Sequence, residues 1–255
     1  MNTTEIFLRF LHDGQPRWGQ VQGQHVHVLG APPWLGAGPT GEVVAWEGLA
    51  CLAPAEPSKI VCVGVNYRDH ATEMGHSLPD EPVIFLKPPT ALLDPGQPIL
   101  LPPACARVDH EAELALVVGR RVGPGGDPHD AIFGFTCAND VTARDLQKKD
   151  GQWARAKGFD TFCPLGPALV RGVDVSDARI QCLVNGVSAQ DSRTSRLIFA
   201  PQAIVAFVAN VMTLLPGDVI LTGTPSGIGP LRAGDQVEVR IEGVGALGNP
   251  VMDRR

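Results

Sequence analysis

The sequence contains no run of five or more basic residues, and its 21 Lys plus Arg are outnumbered by 27 Asp plus Glu, for a formal charge of -6. Nucleic acid and anionic membranes are therefore poor expectations as partners. An anionic substrate stays open, because a bound divalent cation can reverse the local field. No window approaches the roughly 20 apolar residues that span a bilayer. The opening MNTTEIFLRF lacks the basic segment and long apolar run of an export signal. Cys51, Cys62, Cys105, Cys137, Cys163 and Cys182 are scattered, with no CxxC and no neighbouring His cluster. They read as reduced small hydrophobes of a cytoplasmic protein, not as a disulfide framework or a zinc site. Also missing are a repeat at solenoid spacing, a Walker A ending, a GxGxxG fingerprint and a GxSxG elbow. These absences argue against repeat scaffolds, nucleotide loops and seryl hydrolases.

What is present is a chain of 255 residues, 44% hydrophobic, enough for one large domain or a small one joined to a large one. Its 29 Gly and 23 Pro predict short elements with many defined turns. IFLRFL, PRWGQV and HVHVL, broken by HDGQ and QGQ, predict a small antiparallel meander; residues 31–41 read as loop and 52–59 as a Pro-rich linker. Strands are expected at IVCVGV, VIFLKPP, ELALVVGRRV, residues 132–138, ALVRGV, RIQCLVNG, DVILTG and QVEVRIEG. A polar helix is expected over about 142–151 with Thr142 as its cap, and one long amphipathic helix over 201–218, begun by Pro201 and ended near Pro216-Gly217. One long helix among so many strands predicts an α+β, β-rich fold. The division expected is a small N-terminal β subdomain over 1–55 and a catalytic domain over 58–255.

The stretch VDHEAELALVV places Glu111 and Glu113 on one face of an apolar strand, since side chains alternate with period two. Two neighbouring anions in a core need a positive partner, for which Mg²⁺ or Mn²⁺ with oxygen ligands is the simplest; on a wet face they would need none. Asp140, just beyond the strand IFGFTCA, is the candidate third ligand, with Asp109 and Asp145 as rivals. His70 and Glu73 stand at i and i+3 in NYRDHATEMG, a spacing that suits a proton-abstracting pair and equally an ordinary solvated helix contact. The following MGHSLPDEP suggests a segment able to close over a ligand. Lys87 and Lys157, each beside apolar or small residues, are candidates to bind a carboxylate or steady an enolate, or to snorkel outward. Arg144 and Gln147 could reach the same cleft, and the hydroxyls and amides of LTGTPSGIG could cup a small carboxylate or only turn tightly.

Taken together, VGVNYRDHATEMG, EPVIFLKP, DHEAELALVVG, GFTCANDVTARDLQ, AKGFDTFCPLGP, LVNG and LTGTPSGIGPL resemble the fumarylacetoacetate hydrolase family, in its compact branch, over about residues 58–250. The resemblance implies a mixed β-roll or sandwich of the fumarylacetoacetase C-terminal type and a homodimer. It implies that Glu111, Glu113 and Asp140 hold Mg²⁺ or Mn²⁺, that His70 and Glu73 activate water from a lid, and that Lys157 lies beside metal and substrate. It associates Arg144, Gln147 and Thr224 with substrate contact, and Lys87, from its place at the end of VIFLKPP, is the further substrate-binding candidate. The long N-terminal domain and further aspartate ligand of the larger eukaryotic fumarylacetoacetase have no counterpart here. The activity implied first is hydrolysis of a carbon-carbon bond in a 2,4-dioxo acid, releasing pyruvate. Isomerisation of a 2-hydroxydienedioate or decarboxylation of a 2-oxo acid such as oxaloacetate, in aromatic-acid breakdown, is the alternative. A metal- and ligand-binding protein without turnover is the third reading. Ser77, Leu78 and Arg193 are candidates to meet the distal end of the substrate.

Overall fold

A computed structural model describes residues 3–73, 75 and 77–254. The chain opens with the meander β1 (Glu5–His12), β2 (Gln15–Gln22), β3 (His25–Leu29) and β4 (Pro39–Ala45), followed by β5 (Ala50–Leu52). β1 turns into β2 through Asp13 (φ 50°) and Gly14 (φ 72°). A left-handed pair of that kind is what a two-residue hairpin matched to strand twist requires. Then come β6 (Ile60–Gly64), α1 (Arg68–Glu73), β7 (Val83–Lys87), β8 (Leu92–Leu93), β9 (Ile99–Leu101), β10 (Val108–His110), β11 (Ala112–Val118) and β12 (Ile132–Asn139). β13 (Thr142–Ala143), α2 (Arg144–Asp150), α3 (Ala154–Lys157), β14 (Cys163–Arg171), β15 (Arg179–Val184), β16 (Val187–Arg193) and α4 (Pro201–Val211) follow. β17 (Val219–Leu221), β18 (Gly229–Pro230), β19 (Gln236–Ile241) and β20 (Gly245–Asp253) complete the fold. With 45% strand and 15% helix, the molecule is of the β-rich α+β class expected.

The largest sheet runs β4-β3-β2-β1-β14-β12-β11-β17-β6-β7, with β5 and β8 attached beside it; β13-β10-β18 and β16-β15-β19-β20-β9 form two smaller sheets. The N-terminal meander is thus hydrogen-bonded into the main sheet, Ile6 opposite Val170 on β14. β11 is buried along its whole length and has a hydrophobic layer on each face. Leu114, Leu116 and Val118 pack into the core shared with Ile180, Val239 and α4, whereas Ala115 and Val117 face the layer containing Phe7, Leu165 and Leu169. A strand sandwiched in this way has few soft directions, which suits it to carry a site.

Several boundaries differ from the sequence expectation. Thr142 does not cap α2: it lies in β13, its hydroxyl donates to the Asp140 carbonyl, and α2 begins at Arg144 without a side-chain cap. α4 stops at Val211, well short of Pro216, because Leu214 is drawn into backbone pairing with Val122. The loop read over 31–41 already contains the start of β4. No helix among the described residues is long and apolar enough to cross a membrane.

Candidate active site

Glu111 occupies the break between β10 and β11, where its N–H donates to the Asn139 side-chain carbonyl (2.9 Å) instead of a ladder partner. Glu113 follows within β11, and Asp140 leaves the end of the neighbouring β12, its N–H donating to the Glu111 carbonyl (2.9 Å). The three side chains are only 5%, 2% and 1% exposed, which excludes a wet strand face. Each offers one carboxylate oxygen within 4.8 Å of the other two. The rivals are engaged elsewhere. Asp109 accepts from Arg107 (2.7 Å) and Arg144 (3.0 Å), and Asp145 accepts the Ala106 N–H (3.0 Å).

Buried anions survive only when paired. Lys157, delivered by the short helix α3, donates to Glu111 (2.8 Å) and Asp140 (2.6 Å), and Arg144 donates to the other Glu111 oxygen. Burial pushes the Glu111 carboxyl up, but Lys157 and Arg144 outweigh it and hold the group at about 2. For Lys157, burial favours loss of the proton, and the charges of Asp140 and Glu111 overcome it and raise its pKa, so the ammonium is retained. Glu113 is different: its recorded donor is the Gly223 N–H (2.5 Å), and no ion pair reaches it among the described residues. Burial, Asp140 and Glu111 together push its carboxyl well up. The buried Tyr67 hydroxyl, which feels the charge of Glu113, has no hydrogen-bond partner among the described residues. An all-oxygen donor set with one uncompensated carboxylate and an orphaned hydroxyl nearby fits a hard divalent cation.

The carboxylates form the floor of a cavity of about 520 Å³, whose wall includes His70, Glu73, Arg144, Gln147, Lys157 and Thr224. His70 Nδ1 lies 2.9 Å from one Glu73 oxygen, and the other Glu73 oxygen accepts the Gly227 N–H (3.0 Å). α1 is pinned a second time through Asp69, which accepts from Ser226 (3.2 Å) and Ser192 (3.4 Å). The LTGTPSGIG amides thus serve the protein's own carboxylates. Gly223 (φ 102°) and Gly227 (φ 95°) are required there: a Cβ would stand 2.7 Å from Asn66 Cβ and 2.3 Å from the Ala189 carbonyl oxygen, respectively. Thr224 lines the cavity, but its hydroxyl donates to the Ala112 carbonyl (2.8 Å).

Lys87 does not line the cavity. It lies behind Asp140, donating to that carboxylate (2.5 Å) and to the Val141 carbonyl (3.1 Å), a placement that makes it a counter-charge instead of the substrate contact expected. Arg144 and Gln147 do reach the wall, bonded to each other (2.6 Å). Ser77, Leu78 and Arg193 are outside it, Arg193 pairing with Asp177 (2.8 Å). Of the expected closing segment, Met74 and His76 lie outside the described residues. Cys62 and Cys163 are no nucleophiles, since burial pushes both thiols up, Cys163 to about 12.

Gln190 escaped sequence reasoning. Buried on β16, its carbonyl accepts the Ala112 N–H (2.9 Å) while its amide donates to Thr224 (2.8 Å) and to the Pro225 carbonyl (2.8 Å), tying β11 to the glycine-rich loop. Its strand was findable: Asn185 (φ 53°) and Gly186 (φ 78°) form the hairpin turn from β15 to β16.

Residues 59–252 match the model of the fumarylacetoacetate (FAA) hydrolase C-terminal family, and residues 7–54 that of the Rv2993c-like N-terminal family. The mitochondrial oxaloacetate tautomerase fahd2 of Xenopus laevis is 44% identical over 226 residues, 82% of this chain and 70% of that protein. Among solved structures, the 2-hydroxyhepta-2,4-diene-1,7-dioate isomerase of Mycobacterium marinum superposes with a TM-score of 0.89 at 42% identity, covering 98% of both chains. The 5-carboxymethyl-2-hydroxymuconate delta-isomerase of Mycobacterium smegmatis gives a TM-score of 0.90 at 42% identity, covering 98% of this chain and 100% of that one. The order of motifs, the fold and these matches agree: the chain belongs to the fumarylacetoacetate hydrolase family.

Proposed function

We propose that the protein is a divalent-cation-dependent enzyme of short 2-oxo acids that moves a proton at the carbon next to the 2-oxo group, interconverting keto, enol or double-bond isomers. The observation that carries this reading is the gathering of the His70–Glu73 pair, the three-carboxylate cluster and Lys157 in one cavity. Glu111, Glu113 and Asp140 would hold Mg²⁺ or Mn²⁺, which supplies Lewis acidity to the 2-oxo oxygen. The chain's own groups do the rest. His70, with Nδ1 engaged by Glu73, keeps Nε2 as the ring atom that takes and returns the proton. The Lys157 ammonium offers fixed positive charge to an oxygen that becomes enolate-like. Gln190 and Thr224 hold the loop against which α1 rests.

The names of the tautomerase and isomerases at 42–44% identity support proton transfer. Hydrolysis of a 2,4-dioxo acid is the second reading, favoured by the suitability of the same His–Glu pair for deprotonating water and by the name of the family model. Exposed Val83 and Leu86 on the edge strand β7 support a homodimer.

The test follows three signals with Mg²⁺ or Mn²⁺ and with chelator: the enol absorbance of oxaloacetate, solvent-deuterium exchange at its C3, and pyruvate release from oxaloacetate and from an acylpyruvate. Metal-dependent enol loss and exchange without pyruvate is the expected result. Faster pyruvate release from the acylpyruvate selects the hydrolase, release from oxaloacetate selects decarboxylation, and silence in all of them leaves a ligand-binding protein.

A further inference from the structure

We infer that Gln190 is a positioning residue whose buried carboxamide sets two things at once, the spacing of the cation-binding floor and the docking of α1. This rests on the proton-transfer reading above and adds to its machinery a group that does not border the cavity.

The inference begins at a place where the sheet runs out. β17 pairs with β11 over Ala115–Val117, and Thr222 carries the ladder one step further by donating its N–H to the Leu114 carbonyl (3.1 Å). There the pairing of β17 ends, and Ala112 meets side chains on that edge instead. Ala112 stands between Glu111 and Glu113, so slack in its backbone passes to both.

Gln190 and Thr224 replace the missing strand. The Ala112 N–H donates to Gln190 Oε1 (2.9 Å), Gln190 Nε2 donates to Thr224 Oγ1 (2.8 Å), and the Thr224 hydroxyl donates back to the Ala112 carbonyl (2.8 Å). This ring closes in one sense only. The hydroxyl proton is spent on Ala112, so Thr224 must accept from the amide, and the Pro225 carbonyl takes a further amide N–H (2.8 Å). Oε1 is thereby fixed as the acceptor, and His110 Nδ1 (3.2 Å) reaches it as a donor. One buried amide thus grips both residues that flank Glu111.

The clamped pair Thr224-Pro225 lies between two sets of donors. Before it, the Gly223 N–H reaches Glu113 (2.5 Å); after it, the Ser226 hydroxyl reaches Asp69 (3.2 Å) and the Gly227 N–H reaches Glu73 (3.0 Å). Glu73 in turn holds His70 Nδ1 at 2.9 Å. Movement of the clamp therefore shifts the donor of the floor and the donors of α1 together.

The experiment compares Gln190→Met, Gln190→Glu, Ser226→Ala and the double variant Gln190→Glu/Ser226→Ala with wild type. Mg²⁺ affinity is read by calorimetry, with Mg²⁺ alone as the probe, and kcat and KM by solvent-deuterium exchange at C3 of oxaloacetate with saturating Mg²⁺. Gln190→Met deletes the whole clamp and should weaken Mg²⁺ binding about tenfold, the usual worth of a group that orients metal ligands. Gln190→Glu keeps the acceptor for Ala112 and His110 but cannot donate to the loop as a carboxylate. It should lose less Mg²⁺ affinity than Gln190→Met, yet lose kcat at least tenfold with KM within about twofold. In the double variant the loss in kcat should be smaller than the product of the single losses, because both changes act through the same loop. A role confined to stability predicts the opposite pattern: a lower melting temperature with wild-type Mg²⁺ affinity and kcat, or single losses that multiply. Either result overturns the assignment, and Gln190→Glu decides it even if Gln190→Met fails to fold. Absence of exchange in wild type sinks the proton-transfer reading by itself, and the two Mg²⁺ affinities then decide whether Gln190 positions the floor.

Discussion

Replacing Lys87 by Met tests whether this lysine acts on substrate or on the site's own charge. Its ammonium is buried behind Asp140, and Met keeps most of its apolar volume while deleting one charge and two hydrogen bonds. Removing one partner of a buried ion pair costs about 3–5 kcal/mol, because the remaining charge stays desolvated. Here Asp140 keeps Lys157 at 2.6 Å, so the loss belongs at the low end of that range. For a chain of this size about 3 kcal/mol lowers the melting temperature by about 6–12 °C. The assay is thermal unfolding in chelator and again with saturating Mg²⁺. A cation that binds only the folded protein stabilises it by mass action, and part of the drop should therefore return in its presence. Kinetically, KM for a 2-oxo acid should change less than kcat, since Lys87 does not border the cavity. An unchanged melting temperature together with a KM raised tenfold or more would refute this reasoning and return Lys87 to the substrate.

Three further outcomes follow from the same geometry. Glu113→Gln should abolish divalent-cation binding, read by calorimetry, and turnover with it, yet leave the melting temperature in chelator nearly unchanged, because the amide resembles the protonated carboxyl that burial and Asp140 favour. His70→Ala should keep cation affinity and lower proton exchange by roughly 10²–10⁴, the usual worth of a general acid-base group; equal loss of cation affinity would contradict the role. In chelator, stability against pH should have two arms. The Glu111 carboxyl is held below its unfolded value, so its contribution is full above pH ~4.5 and is lost as pH falls toward about 2. Glu113 is raised, so its contribution is full below its unfolded value and is lost as pH rises above it, an arm that Glu113→Gln should erase.

The inward face of Glu113 on β11 and the His70–Glu73 contact on α1 were legible because strand alternation and i,i+3 spacing are local rules, whereas Glu111, in the break before β11, and Asp140, beyond the end of β12, meet through the pairing of those two strands. Lys87 was misplaced because no local rule tells a lysine at a strand end facing a cleft from one facing the back of a carboxylate 53 positions away. The role of the glycine-rich loop was equally out of reach: its amides do turn toward carboxylates, but those of Glu113 and Glu73, far along the chain. The end of α4 was missed for a related reason. Helical periodicity continued beyond Val211, and the bridge between Leu214 and Val122 overrode it.

These long-range pairings account for how a site so rich in buried carboxylates holds together. Each acid but one has its cation within the fold: Asp109 has Arg107 and Arg144, Glu111 has Arg144 and Lys157, and Asp140 has Lys87 and Lys157. Glu113, near the start of the buried strand, has only the amide of Gly223 among the described residues. The vacancy in positive charge is therefore local, and either a proton or a divalent cation can fill it. The two compete, and cation affinity should rise with pH as Glu113 gives up its proton.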